Sequence, residues 1–293
     1  MNKGYFYILV TALAFSTMEI VGKMIAAEIN PFQITLIRFL IGGMLLLPFA
    51  LREVRKREMA LKLKDYGFFL LSGFLSIVVS MSFFQLAVLH TKASIVAVIF
   101  STNPVFTIPF ACLILKEKLH RKTVLSLAAS ISGILLIFNP FSASPDIKGI
   151  FLAVVAAVTF SLYTVINKTR IEKYGGLVLN CFSFLMGDAL LLLFLLYYRI
   201  PILGGVGSSN IWHLLYLGIF VTGVGYWCYF EGMKKTSAIT ASMVFFIKPA
   251  LAPVLSLLLL GESIKVNTGL GILCIISGAL ITFIPKLPKA QSL

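Results

Sequence analysis

A chain of 293 residues with 59% hydrophobic and 12% charged side chains, at a mean hydropathy of +0.99, carries too little polar surface to be soluble. On so apolar a chain a net charge of +14 marks loops and anionic lipid headgroups rather than nucleic acid. A polytopic membrane protein is therefore expected, with membrane lipid as a partner and no nucleic acid.

The first apolar segment, 4–25, follows Met1-Asn2-Lys3 and is too long for a signal-peptide core, so it reads as a retained transmembrane helix. The second, 31–51, opens at Asn30-Pro31 and runs into a basic stretch from Arg52 to Asp65. The third and fourth, 66–89 and 93–115, are parted only by His90 to Lys92, and the fourth carries Asn103-Pro104 in mid-span and Glu117 beyond its end. The fifth and sixth, 123–140 and 147–167, flank Ser142 to Asp146, and the seventh and eighth span 176–198 and 211–230. The ninth, 237–260, contains Lys248-Pro249 and precedes Glu262, and the tenth is 266–285. The spacing predicts ten transmembrane helices joined by loops too short for a soluble domain.

Basic residues are retained on the cytoplasmic side. With the N-terminus inside, 18 lysines and arginines fall on inner segments and four on outer ones, Lys92, Lys148, Arg199 and Lys265. Both termini are expected in the cytoplasm, in the cytoplasmic (inner) membrane.

Sliding the chain by 145 residues without a gap aligns Gly4 with Gly149, Phe15-Ser16 with Phe160-Ser161, Phe39-Leu40 with Phe184-Leu185, and Gly42 with Gly187. The same register pairs Gly73 with Gly218, Thr91 with Thr236, Pro104 with Pro249, Glu117 with Glu262, and Ser132-Gly133 with Ser277-Gly278. One register held through five helices is an internal duplication, with repeats at 1–145 and 146–293. Because five is odd, the second repeat enters from the opposite face, so the expected fold is all-α, with ten transmembrane helices as two inverted five-helix repeats. Inverted repeats are the architecture of secondary transporters.

Phe84-x-x-Ala87-x-x-x-Thr91-x-Ala93, echoed by Tyr229-x-x-Gly232-x-x-x-Thr236-x-Ala238, resembles the segment before the fourth and ninth helices of the drug/metabolite transporter (DMT) superfamily, EamA branch. Asn103-Pro104, Lys248-Pro249, Gly261-Glu262 and the Thr268…Ser277-Gly278 run extend the likeness across the chain. The resemblance implies a carrier of metabolites whose central cavity is lined by helices 1–4 and 6–9, with helices 5 and 10 peripheral. Lys116 departs from it, standing where the family usually has glycine, and so does Lys248, where many members have glutamate.

Ionisable groups in mid-membrane need a partner or a wet cavity. Lys248 lies about 15 Å into the ninth segment, where it is either an anion-binding or proton-linked group or an ion-pair partner of Asp188. Ser16, Glu19 and Lys23 share one helical face, and the repeat sets Ser161, Thr164 and Lys168 on the matching one. Within these stripes Glu19 and Lys23 can also neutralise each other at i and i+4. Arg38 lies about a third of the way into the second span from outside, where it either snorkels outward or offers a bidentate carboxylate site. Pro104 and Pro249 each withdraw a backbone donor and are candidate hinges beside Asn103 and Lys248. Phe15, Phe160, Tyr163, Trp227 and Tyr229 are candidate walls for an amphipathic ligand.

No H-E-x-x-H, G-x-S-x-G or G-x-x-x-x-G-K-[ST] occurs, so neither an enzyme nor an ATP-driven pump is expected. Cys112, Cys181, Cys228 and Cys274 lack C-x-x-C spacing, and His90, His120 and His213 lack companions at ligand spacing, so no metal or cofactor is expected. Glu117 and Glu262 are expected to tie loops, and Glu231 to pair with Lys234 or Lys235.

The expected function is alternating-access transport of a small metabolite, favoured as export of an amino acid or related amine. Ser16, Glu19, Arg38, Asn103, Ser161, Tyr163, Thr164, Tyr229 and Lys248 are the candidate binding residues, with a coupling proton or ion as a further partner and no obligate protein partner. A carrier of phosphorylated anions is the alternative, and a channel the more remote one.

Overall fold

The computed structural model describes residues 3–91, 93–137, 147–246, 251 and 266–283, which form helices and turns without a strand among them. Helix α1 (Lys3–Ile25) is in two pieces, Lys3–Ser16 and Met18–Ile25. The Thr17 hydroxyl bonds back to the Ala14 carbonyl at 2.8 Å at the joint. Helix α2 (Pro31–Lys56) starts where the sequence dictates. The Asn30 side chain accepts from Phe32 N–H, Gln33 Oε1 accepts from Asn30 N–H, both at 3.0 Å, and Pro31 occupies the first turn, where its missing donor costs nothing.

Helix α3 (Leu63–His90) is π-helical over Phe74–Met81, and α4 runs Ala93–Ser101, Asn103–Phe110 and a π-turn at Ala111–Leu115. Beyond it Lys116 holds φ of 54°, the left-handed region that glycine enters without strain, which is why glycine suits this position in the resembled family. Helices α5 (Arg121–Ile137), α6 (Ile147–Lys168), α7 (Ile171–Tyr197) and α8 (Ile211–Lys235) follow. Gly175, at φ +76°, separates a short first turn from the long apolar run of α7, and α8 is π-helical over Leu217–Gly225. Helix α9 opens at Ala238–Ser242, and α10 is Val266–Phe283.

Seven of these are long and apolar enough to cross a membrane: α1, α2, α3, α4 over Val96–Leu115, α6, α7 and α8. Helices α5 and α10 fall on the fifth and tenth predicted segments and α9 opens the ninth, so the described helices are compatible with ten spans. The chain is an integral, multi-pass membrane protein built of two repeats.

The 145-residue register reappears as paired contacts. Thr11 Oγ1 donates to the Gly225 carbonyl (3.3 Å), and Ser80 Oγ donates to the Ala156 carbonyl (2.8 Å); each contact maps onto the other under the shift. A Cβ on Gly4 would lie 2.9 Å from the Thr236 methyl, and one on Gly149 2.9 Å from the Thr91 methyl. Gly73 and Gly187 bring the backbones of α3 and α7 together, and their repeat mates Gly218 and Gly42 do the same for α8 and α2. Helix α1 packs along α8, α6 along α3, and α2 against α7, while α5 and α10 pack on each other, with Ser126 Oγ donating to the Gly278 carbonyl at 2.6 Å.

Among the described residues three spans expected to be continuous are interrupted, at Thr17, at Thr102 and at Met243. The second break changes the expectation for Pro104. It lies in the first turn of the Asn103–Phe110 piece rather than inside an unbroken helix, and the chain is bridged there by short bonds from Thr102 N to the Ile99 carbonyl (3.0 Å) and from Val105 N to the Thr102 carbonyl (2.8 Å). Lys248, Pro249 and Glu262 lie outside the described residues.

Candidate functional site

An aromatic cluster fills the centre of the fold. Tyr226 of α8 touches Phe15 of α1 (5.0 Å between ring centroids), Phe39 of α2 (5.6 Å), Phe160 of α6 (6.0 Å) and Phe184 of α7 (5.3 Å). Phe245 of the ninth span joins Phe15, Phe100, Phe160 and Tyr229. Elements of both repeats therefore meet on one wall of rings, where edge-to-face contacts add to burial.

A polar layer lies on this wall. Arg38, on α2 about 10 Å from the start of the helix, is completely buried, with its guanidinium carbon 4.8 Å from the centre of the Phe39 ring. None of its three nitrogens has a hydrogen-bond partner. Three groups act on it electrostatically: Tyr226, Glu19 of α1 and Asp188 of α7, the two acids each 3% exposed. Both oxygens of Asp188 also lack a hydrogen-bond partner, as do the side chains of Gln85, Asn180 and Ser183 and the Thr222 hydroxyl. Under the repeat Thr35 and Arg38 correspond to Asn180 and Ser183, so this layer lies on matching faces of α2 and α7. Among the described residues of these two faces only Arg38 is cationic. A buried guanidinium without an acceptor is costly, and its five donors match a carboxylate or phosphate group.

Nearer the N-terminal face, Thr164 Oγ1 and the Tyr229 hydroxyl lie 3.2 Å apart, and the buried Tyr163 hydroxyl has no partner. Asn103 Nδ2 donates to Ser161 Oγ (2.7 Å) and to the Ala157 carbonyl (3.1 Å), fastening the broken part of α4 to α6. Ser16 Oγ donates within its own helix to the Ala12 carbonyl at 2.6 Å. Glu19, Arg38 and Asp188 are thus grouped, as are Thr164 with Tyr229 and Asn103 with Ser161.

Three expectations are corrected. Trp227 is not on the central wall; it is partly buried and packs edge-on to Tyr7 at 6.0 Å, and its neighbour Tyr226 points inward instead. Lys23 does not serve to neutralise Glu19 but donates to the carbonyls of Val88 (2.8 Å) and Thr91 (3.2 Å). Glu231 makes no ion pair with Lys234 or Lys235, and its carboxylate lies against Gly176 of α7. Sequence reasoning also missed Phe39 and Phe184 as wall residues, although both had appeared in the repeat register.

Away from the centre, Glu117 spans two repeats by accepting from Ala238 N–H (2.9 Å) and Ile239 N–H (3.2 Å), the first amides of α9. Asp65 accepts from Lys173 Nζ (2.8 Å), the Tyr174 hydroxyl (2.6 Å) and Lys62 N–H (2.8 Å), joining the start of α3 to that of α7. Among the described residues no group of three or more His, Cys, Asp or Glu side chains is placed to hold a metal ion.

Comparison with known proteins agrees with this architecture. The EamA-like transporter family model matches residues 2–139 and again 147–284. A Clostridium kluyveri protein named as an uncharacterized transporter is 50% identical over 291 residues, covering 97% of this chain and 94% of its own. Bacillus subtilis YetK, named likewise, is 26% identical over 97% of this chain and 88% of its own. A crystal structure at 19% identity superposes with a TM-score of 0.78 over 95% of this chain and 96% of the other, a likeness of fold. With the family model matched twice and half of the residues shared with a full-length relative, this chain belongs to the EamA-like transporter family.

Proposed function

We propose that the protein is a secondary carrier that exports a small zwitterion or amine, an amino acid or a close relative, across the cytoplasmic membrane, with both termini in the cytoplasm. The observation that carries this reading is Arg38, fully buried with three unsatisfied nitrogens and two buried acids in electrostatic reach. A substrate carboxylate supplies the acceptor that the guanidinium lacks, while Glu19 and Asp188 face its ammonium group. The ring wall of Phe15, Tyr226 and Tyr229 adds cation–π attraction. Ser16, Asn103, Ser161, Tyr163, Thr164 and Lys248 complete the proposed lining, and exchange for a proton or cation is part of the reading. The 18-to-four distribution of basic residues supports the orientation, and the absence of catalytic motifs supports a carrier rather than an enzyme.

The same unpartnered guanidinium favours a second reading, transport of a phosphorylated anion, in which the acids are paired off. Counterflow in proteoliposomes decides between them. Vesicles loaded with unlabelled amino acid should accumulate the labelled compound transiently, and Arg38→Met should abolish this. Accumulation of a labelled sugar phosphate alone would establish the second reading, and non-saturable flux without counterflow would show a channel.

A further inference from the structure

The central helices form two tightly packed pairs. Helix α1 is bound to α8 by the Thr11 to Gly225 bond and by Gly4 seated on Thr236, and α6 is bound to α3 by the Ser80 to Ala156 bond and by Gly149 seated on Thr91. A polar bridge joins one pair to the other at each rim. At the face opposite the N-terminus, Lys23 of α1 reaches the Val88 and Thr91 carbonyls at the end of α3, at 2.8 and 3.2 Å. At the N-terminal face, Lys168 of α6 reaches the Met233 carbonyl at the end of α8, at 2.8 Å. The two bridges are images of each other, since a shift of 145 carries Lys23 to Lys168 and Val88 to Met233.

The acceptors are carbonyls in or just beyond the last turn of a helix, where intrahelical partners run out and the negative end of the helix dipole is exposed. An ammonium group is the natural cap for such an end, and its bond is charge-assisted. A cap from the same helix would only stabilise that end. Each of these comes from the other packed pair, so any rocking of α1/α8 against α3/α6 must break one of them.

We propose that Lys23 and Lys168 are paired rim latches, Lys23 holding the mouth opposite the N-terminus shut and Lys168 holding the N-terminal mouth shut. They act by positioning the helix ends and do not touch substrate. The latches are related by the repeat but are not equal, since Lys23 meets two carbonyls and Lys168 one, so the N-terminal mouth is the more lightly held. This inference rests on the alternating-access reading and adds to it the residues that set the balance between the two states.

The test uses full-length protein lacking its four cysteines, with one reporter cysteine at Thr102, in vesicles of known orientation exposed to a membrane-impermeant maleimide on one face at a time. Lys23→Met should raise the labelling rate from the face opposite the N-terminus by roughly tenfold and lower it from the N-terminal face, and Lys168→Met should do the reverse. Lys23→Arg and Lys168→Arg should restore the original rates. Where a methionine variant does not fold, the glutamine variant is measured instead. Equal changes on both faces, or none, would overturn the latch proposal while counterflow in the same vesicles still upheld the carrier. Fast labelling of the reporter protein with both lysines intact from both faces, together with absent counterflow, would overturn the carrier reading itself.

Discussion

Alanine at Gly73 and at Gly67 should have opposite effects, although both positions lie in α3. A glycine-to-alanine change inside a helix gains up to about 1 kcal/mol by reducing the freedom of the unfolded chain. At Gly67 a new Cβ meets nothing within 4 Å, so this gain should appear undiminished. At Gly73 the same atom would collide with the Ser183 carbonyl oxygen and lie 2.6 Å from the Gly187 nitrogen. Both are backbone atoms of α7, with no rotamer to yield, so the helices must separate by about 1 Å. Overpacking of this kind costs about 1–3 kcal/mol, and because the gain from the unfolded chain is common to both positions the two variants should lie about 1–3 kcal/mol apart. At about 2–4 °C per kcal/mol for a chain of this size, Gly73→Ala should melt roughly 2–12 °C below Gly67→Ala. Thermal unfolding of detergent-purified protein, followed by size-exclusion fluorescence, measures the difference. Equal melting temperatures would refute the close approach of α3 and α7.

Cysteines placed at Lys62 and Lys118 should label from one face only and a cysteine at Ser208 from the other, and same-face labelling would end the inverted arrangement. Glu117→Ala removes both acceptors from the first amides of α9 and should cost about 1 kcal/mol in thermal stability, with Glu117→Gln in between; an unchanged melt would show that these bonds contribute nothing. Pro104→Ala returns an N–H that can close the break at Thr102 into continuous helix, so insertion should be normal and turnover slower, read as counterflow rate per folded protein. An unchanged rate would reduce the break to a packing feature.

The spans and the duplication were legible because each depends on a property summed over many residues: uninterrupted apolar length, and one register held over half the chain. The charged members of the site were legible for a different reason, since Glu19, Arg38 and Asp188 are conspicuous wherever a span is apolar. Their grouping was not, because nothing in the order of residues says that α1, α2 and α7 face one another at that depth. The mistaken choice of Trp227 over Tyr226 has a local cause. Orientation along α8 is reckoned at 3.6 residues per turn, but the π-helical stretch Leu217–Gly225 immediately before these residues has wider turns and shifts every later side chain around the axis. The break at Thr102 was illegible because α4 remains apolar through it, and proline alone marks a helix start as readily as a kink.

The π-helical stretches Phe74–Met81 and Leu217–Gly225 occupy the same place in the two repeats, and they bear on which lengths of chain the fold accepts. A widened turn holds a surplus residue. Deleting one residue within it lets the turn tighten to ordinary α-helix while both flanking pieces keep their neighbours. The same deletion in α6, between Ala153 and Phe160, has no such slack and rotates everything beyond it by about 100°, turning Ser161 and Thr164 off the central wall. Among the described residues, α3 and α8, with the shorter π-turn of α4, are therefore the spans in which a one-residue change of length can be absorbed locally, and evolution of this chain by insertion and deletion within the membrane has its room there.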